Sequence, residues 1–440
     1  MTLTSDFLQK LFDKAERISN DEYSAAKKGV LDFTASSIAA KSLPQITALI
    51  DYYGPVKNGV PIIGYDKSLP PKESVIVNGY IAHYLDLDDV HSEVRGHPSA
   101  VILPALLALK DTEITAEHFY KSYIIGVDAI AALGRNIGTR HYEKGFHASS
   151  TLGSIASAIS VSYALHGDIE KTENAVGIAV SASSGVRSQF GSEMKPFQLG
   201  MSAANGFEAA LLSHQSLVDS NPNQLAAFFE IYGDFSGQSI DPGRSFSITS
   251  PGLWFKLYPC CSANYHAIDA VKEIIEIYDL KESDVTGVEL IYPPNGDAAL
   301  IHTAPKTGKE GMFSPEYVCS LLLQQKTLIP SRFDDREIED ETLLLMKKFK
   351  RTYDASITPA SDAVPGGRFT IVNVTTTDGK LLSSRVDKPK GSPEYPLDNQ
   401  DLMDKLNIYI DRSINTKELI DRLNQADTLQ KIKKTIGEIK

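Results

Sequence analysis

Three cysteines in 440 residues, Cys260, Cys261 and Cys319, cannot supply a disulfide framework, and neighbours in sequence rarely bridge each other. A reducing, cytoplasmic setting is expected. No segment approaches the ~18 consecutive apolar residues of a membrane span. The opening MTLTSDFLQKLFDKAERIS interrupts its apolar residues with charge at helical spacing, as a folded helix does and a secretion signal does not. Cations are also scarce. Lys and Arg total 44 against 56 Asp and Glu, a net charge of −12, and the longest basic tract is the short KKFKR at 347–351. Phosphate backbones need clustered cations on one surface, so nucleic acid is not expected as a partner.

Several stock sites are missing too. No GxGxxG follows a strand and no GxxxxGK[ST] occurs, which removes the usual dinucleotide and P-loop signatures. HExxH and paired CxxC are absent, and Cys260-Cys261 with His266 has the wrong spacing for a standard zinc site. The acidic LDLDD lacks the rest of an EF-hand loop, and Ser149 and Ser150 beside His147 lack a GxSxG elbow. There is no internal repeat or low-complexity segment.

What is present is mostly helix, in a chain long enough for two or three domains. Helices are predicted over 21–40, 43–53, 72–89, 116–137, 148–164 and 175–184, with another after Lys195. Three of these, 148–164, 175–184 and the one after Lys195, are rich in Ala, Ser and Gly, which lets backbones approach closely, so they should form the inner layer of a helical domain. The character changes after Trp254. A helix over 264–280 leads to a strand over 285–293, helices over 315–325 and 338–351, and two strand arms within 369–386 joined at Asp378-Gly379. The Pro-rich 387–397 then returns the chain to polar helices that dock back on the first domain. The expected fold is mainly α, with a large all-helical domain (1–258 and 392–440) and a smaller α/β lid (259–391).

The stretch with the most chemistry is 82–107, AHYLDLDDVHSEVRGHPSAVILPALL. Helical spacing through Asp89 would put Asp86 and Asp89 on one face and turn Asp88 elsewhere. Gly96 and His97-Pro98 then place His97 in a turn before a helix that starts near Ser99, a good N-cap residue. A carboxylate facing an imidazole is an acid/base pair, and it is equally a capped helix end with a satisfied loop histidine. His147 in GFH precedes a Ser/Thr-rich helix start whose backbone donors suit a carboxylate. Lys195 lies in a polar loop, GSEMKPFQLG, and Lys256 lies at the proposed domain hinge in WFKLYPCC. Tyr317 opens a lid helix, and Arg135 sits in the last turn of the 116–137 helix, favourable for a cation. Each of these also fits a structural role: a loop lysine is usually solvated and a lone tyrosine usually packs its ring.

Taken in order, LDLDD with GHPS and VILPALLAL, GFHASSTLGS, MKPFQLGMSAANG, KLYPCCSANYHAIDAV and KTGKEGMFSPEYV resemble the motifs of the MmgE/PrpD family over roughly residues 5–400. That family includes 2-methylcitrate dehydratase, cis-aconitate decarboxylase and iminodisuccinate epimerase. The resemblance implies a homodimer, an active site between a helical domain and a lid, and no metal, nucleotide or flavin. It assigns catalytic roles to Asp86, His97, His147, Lys195 and Lys256, to which we add Tyr317 and Arg135 as candidate substrate-binding residues. Val90 stands where many lyase members have Thr, so that hydroxyl is absent. Cys261 stands where the decarboxylase branch resembles a Cys-His pair. The RGHPS, GRNIG, HYEKGFH and YPCC wording is similar to the epimerase-like branch. All three reactions pass through a carbanion next to a carboxylate, which cations must hold. The expected function is therefore a cofactor-independent lyase for a small di- or tricarboxylate, 2-methylcitrate dehydratase-like first. Epimerase, decarboxylase and a silent carboxylate-binding homologue are the alternatives.

Overall fold

The computed structural model describes every residue except 42, 111–112, 235–236, 238, 364, 410–414 and 440. The chain forms two compact units: residues 1–84, 88–255 and 398–440, and residues 85–87 and 256–397. The sequence boundaries were expected at 258/259 and 391/392.

The first unit is helical and is built around Ala148–Ala164. Every residue of that helix except Tyr163 is buried, against Met194–His214, Ala116–Ile137, Ile169–Ala182 and Pro98–Leu107. Its serines would be costly in such a core without partners. They find them in neighbouring helices: Ser160 Oγ donates to Ser122 O at 2.8 Å, and Ser202 Oγ of Met194–His214 donates back to Ser150 O at 2.7 Å. The expected small-residue inner layer is therefore present. The tail also returns as expected. Asn399–Tyr409 packs on Asn20–Ala39, where buried Lys405 reaches Asp32 at 2.6 Å, and Leu429 N bonds Ile114 O at 3.0 Å.

Close helix contact in this unit depends on glycine. A Cβ on Gly200 would stand 2.1 Å from Ile76 O, and one on Gly79 would stand 2.8 Å from Gly200 Cα, so Pro71–His83 and Met194–His214 meet backbone to backbone. This contact brings the end of the first helix, His83, to the start of the second, Lys195.

The second unit carries a four-stranded sheet in the order Phe349–Tyr353, Val285–Tyr292, Thr370–Thr376, Leu381–Val386. The first pair is parallel, the other two antiparallel, and the hairpin turns at Gly379, whose φ of +81° suits glycine. Tyr265–Tyr278 packs on the two hairpin strands and on Pro315–Leu323. The helix expected over 338–351 is shorter, Asp340–Met346, and its tail is instead the strand Phe349–Tyr353. Pairing with Val285–Tyr292 overrides the local helical spacing there. Among the described residues, no helix is long and apolar enough to cross a membrane.

Candidate active site

Four helix ends of the first unit meet. Pro71–His83 contributes its C-terminus. Pro98–Leu107, Ala148–Ala164 and Met194–His214 contribute their N-termini, with His97 and His147 as N-cap residues and Lys195 in the first turn. The loop before His97 sits tightly on the third of these helices: a Cβ on Gly96 would stand 2.2 Å from Ser149 Oγ, and His97 N donates to that oxygen at 3.0 Å. None of the three N-cap residues, His97, His147 and Glu193, caps its helix with its own side chain. Helix N-termini carry partial positive charge, so a cation in a first turn is opposed by its own helix. Lys195 is such a cation, and it is 7% exposed. A cluster of this kind suits a polyanion.

The expected continuation of the 72–89 helix through Asp89 does not occur. The helix ends at His83, and Asp86 takes φ +50°, outside the helical region. The three aspartates separate as a result. Asp89 accepts from Ser99 N at 3.2 Å and from the Ser99 hydroxyl, which also meets the Tyr123 hydroxyl. Ser99 is therefore not the N-cap that the sequence suggested. The helix begins at Pro98, whose missing N–H and fixed φ suit that position. Burial and the nearby Asp32 raise the Asp89 carboxyl well above the usual range.

Asp88 turns to two imidazoles. His83 Nδ1 lies 2.8 Å from Oδ1, and His97 Nδ1 lies 3.4 Å from Oδ2, with Asp88 fully buried. Burial opposes the Asp88 charge, but the two histidines outweigh it and hold the carboxyl below its usual range. Burial also pushes His83 down to about 4, against the pull of Asp88 and with the help of Lys195 and His97. The ring centroids of His83 and His97 are 4.1 Å apart.

His147 is held differently. Its Nδ1 lies 2.8 Å from Gln198 Oε1, and Gln198 Nε2 donates to Val186 O at 3.3 Å, which fixes the amide so that its oxygen faces the ring. Nδ1 therefore carries the proton and Nε2 the lone pair. Burial holds the imidazole well below its ordinary value, and Lys195, His83 and His97 lower it further. Phe190 sits beside this ring at 5.0 Å between centroids, and Lys195 Nζ stands 5.2 Å from the same phenyl. Lys195 is thus in a helix and not in the loop that was expected.

The remaining candidates lie in other surroundings. Arg135 bonds Glu93 and, at 3.3 Å, Ser247 Oγ. In the second unit, Lys256 Nζ is 3.0 Å from Asp86 Oδ1, both side chains buried. Beside them Cys260 is buried, and burial raises its thiol despite Lys256. Tyr317 is 5% exposed; its hydroxyl donates to Arg332 O at 2.6 Å and its ring packs edge-on against Phe333. Val90 pairs through its backbone with Trp254, each N–H to the other's carbonyl at 2.8 Å.

Sequence reasoning missed His83, Gln198 and the role of Asp88. His83 ends an apolar helical run, and Gln198 is a lone glutamine among several scattered polar residues of its helix, so neither forms a motif. The ligand atoms of His83, Asp88 and His97 lie within 4.8 Å of one another, a set that could hold a divalent cation. Both imidazoles instead present Nδ1 to the carboxylate, as an orienting aspartate requires.

Known proteins share this arrangement of sequence. The chain is 24% identical over 455 residues to a cis-aconitate decarboxylase of Aspergillus terreus, which covers 94% of this chain and 91% of that one. It is 24% identical to the mouse cis-aconitate decarboxylase (77% of this chain, 72% of that one) and 26% identical to the human one (77% and 73%). The MmgE/PrpD N-terminal domain matches residues 6–225, where His83, Asp88, His97, His147 and Lys195 lie. The MmgE/PrpD C-terminal domain matches residues 258–428. With both domains matched in order over most of its length, the chain belongs to the MmgE/PrpD family.

Proposed function

We propose that this protein is a lyase that needs no cofactor and acts on a small di- or tricarboxylate through a carbanion next to a carboxylate, with dehydration of the 2-methylcitrate type as its reaction. One observation carries the reading. The first unit holds two imidazoles set for opposite proton roles, where three helix N-termini and Lys195 favour an anion.

The chemistry follows from the two settings. His147, neutral and with its lone pair on Nε2, takes the proton from the carbon next to a substrate carboxylate. The electron pair moves into that carboxylate, whose growing charge is met by Lys195 and the helix N-termini. It then forms the carbon–carbon double bond as the β-hydroxyl leaves, and His97, whose Nδ1 faces Asp88, gives it the proton that completes water. His83 fixes Asp88 from its other side. In this reading Arg135 and Tyr317 are scaffold, held by Glu93 and by Arg332 O. Lys256, buried against Asp86, is proposed as a further catalytic cation, and the active form is proposed to be a homodimer.

Decarboxylation is the second reading, favoured by the relatives named as cis-aconitate decarboxylases. It needs the cations and one proton donor to carbon, so His97 with Asp88 would suffice.

The test is to incubate EDTA-treated protein with 2-methylcitrate, cis-aconitate and iminodisuccinate in D2O and follow products by NMR. Water loss from 2-methylcitrate supports the first reading, CO2 loss from cis-aconitate the second, and inversion with solvent deuterium an epimerase. Thermal stabilisation by all three compounds with no turnover and no deuterium exchange would make the chain a carboxylate-binding homologue. Activity that vanishes with the chelator and returns with a metal would overturn the cofactor-free claim.

A further inference from the structure

Elsewhere in the first unit, a cleft of about 680 Å³ is walled by the hairpin of Val60–Pro61 and Ser68–Leu69, the segment that follows Pro98–Leu107, and the helix Leu429–Gly437. Gln430 lies three and four residues before Lys433 and Lys434, and Gly437 four and three residues after them, so the last helix turns one face, with this lysine pair at its middle, to the cleft. Lys110 joins them from the segment that follows Pro98–Leu107.

In a chain of net charge −12, four lysines line one cleft: Lys67, which Asp51 holds, and Lys110, Lys433 and Lys434. Lys433 Nζ donates to Leu109 O at 2.8 Å and Lys110 Nζ to Asn58 O at 3.4 Å. An ammonium has three donors, so a contact to one wall carbonyl leaves each able to bond a ligand as well. The other charges on the cleft do not cancel these. Glu438 is held by Arg422, Lys67 is held by Asp51, and Asp66 is the remaining acid. Lys433 is only half-exposed, and burial together with Lys110 brings its amine down to about 8. Two ammonium groups forced together are relieved by an anion between them.

We propose that this cleft is a second ligand site, separate from the candidate active site, which binds a small multiply charged oxyanion, a phosphate or a polycarboxylate, between Lys110, Lys433 and Lys434. Nothing in this inference depends on the lyase reading.

The experiment uses the full chain at constant ionic strength. Inorganic phosphate and citrate are each titrated calorimetrically into wild type, Lys110→Gln and Lys434→Gln, and the lysines are trace-labelled with acetic anhydride near pH 8 and read by mass spectrometry. Lys433 should acylate faster than exposed lysines, and a saturating anion should slow it. Each substitution should weaken the anion about tenfold, the loss of one charge-assisted hydrogen bond, without changing turnover. Protection by phosphate alone assigns the phosphate class; protection by citrate alone assigns the polycarboxylate class. The proposal is overturned if neither anion slows acylation of Lys433, or if both substitutions leave binding unchanged.

Discussion

Lys256 and Asp86 form a buried pair, with the ammonium 3.0 Å from the carboxylate and the lysine side chain fully enclosed. Removing one partner of such a pair strands a charge in the interior, at about 3–5 kcal/mol. Lys256→Ala should therefore lose stability as well as activity, and its activity alone says little about chemistry. The informative variant is the double substitution Lys256→Met with Asp86→Asn, which leaves no stranded charge. It should recover most of the stability in urea unfolding while kcat/KM stays depressed, if Lys256 acts on substrate. Recovery of both would assign the pair a structural role only.

Asp88 is predicted to matter through the tautomers it fixes. Asp88→Asn keeps the shape but places an amide where two imidazoles present Nδ1, so at least one ring must turn or move its proton. Turnover should fall by about 10² to 10⁴, with the unfolding midpoint changed far less than by Lys256→Ala. Wild-type kcat/KM in this variant would remove His97 from its proposed role as acid.

Much of the fold was legible because its signals are long. The helices at 116–137 and 148–164 coincide with Ala116–Ile137 and Ala148–Ala164, where amphipathic or small-residue patterns run for four turns or more. Short signals failed where tertiary contacts compete with them. Tyr84 and Leu85 continue the helical spacing after His83, yet the chain leaves the helix there, and Asp88 and Asp89 bond His83 and Ser99 instead. At Phe349–Tyr353 a parallel strand partner decided what local spacing could not. The same limit applied to the candidate site. His97, His147 and Lys195 sit at helix starts, which sequence can mark, whereas His83 and Gln198 acquire meaning only from the partners that packing brings to them.

Acid should destabilise the fold through its buried neutral histidines. Burial brings His91 and His83 down to about 4 from an ordinary 6.5. A histidine with a lowered folded pKa binds fewer protons folded than unfolded, so its contribution is complete above pH 6.5 and is lost as pH falls toward 4. His91 isolates the effect, since Nε2 faces Ser247 O at 2.9 Å and Nδ1 accepts from Glu93 N at 3.3 Å. His91→Gln can offer a donor and an acceptor without titrating. The stability of wild type minus that of His91→Gln, from urea unfolding at successive pH values, should decline by about 1.4 kcal/mol per pH unit across that window. A flat difference would show that His91 is not held neutral.

Gln198 offers the most direct test of the proposed base. Its Oε1 accepts the His147 proton at 2.8 Å, and its Nε2 is held by Val186 O, so a neutral amide defines which ring nitrogen is basic. Gln198→Glu places a carboxylate at the same position, and an opposite charge that close raises an imidazole pKa by about 1 to 3 units. The acid limb of the kcat/KM profile should then move to higher pH, because His147 must lose a more tightly held proton before it can act as base. Gln198→Met removes the orienting contact without adding charge, so it should lower kcat without moving the limb upward. A purely structural glutamine would not separate the two variants in this way. An acid limb that stays in place in Gln198→Glu, in a protein that still folds and turns over, would mean that the base is not His147.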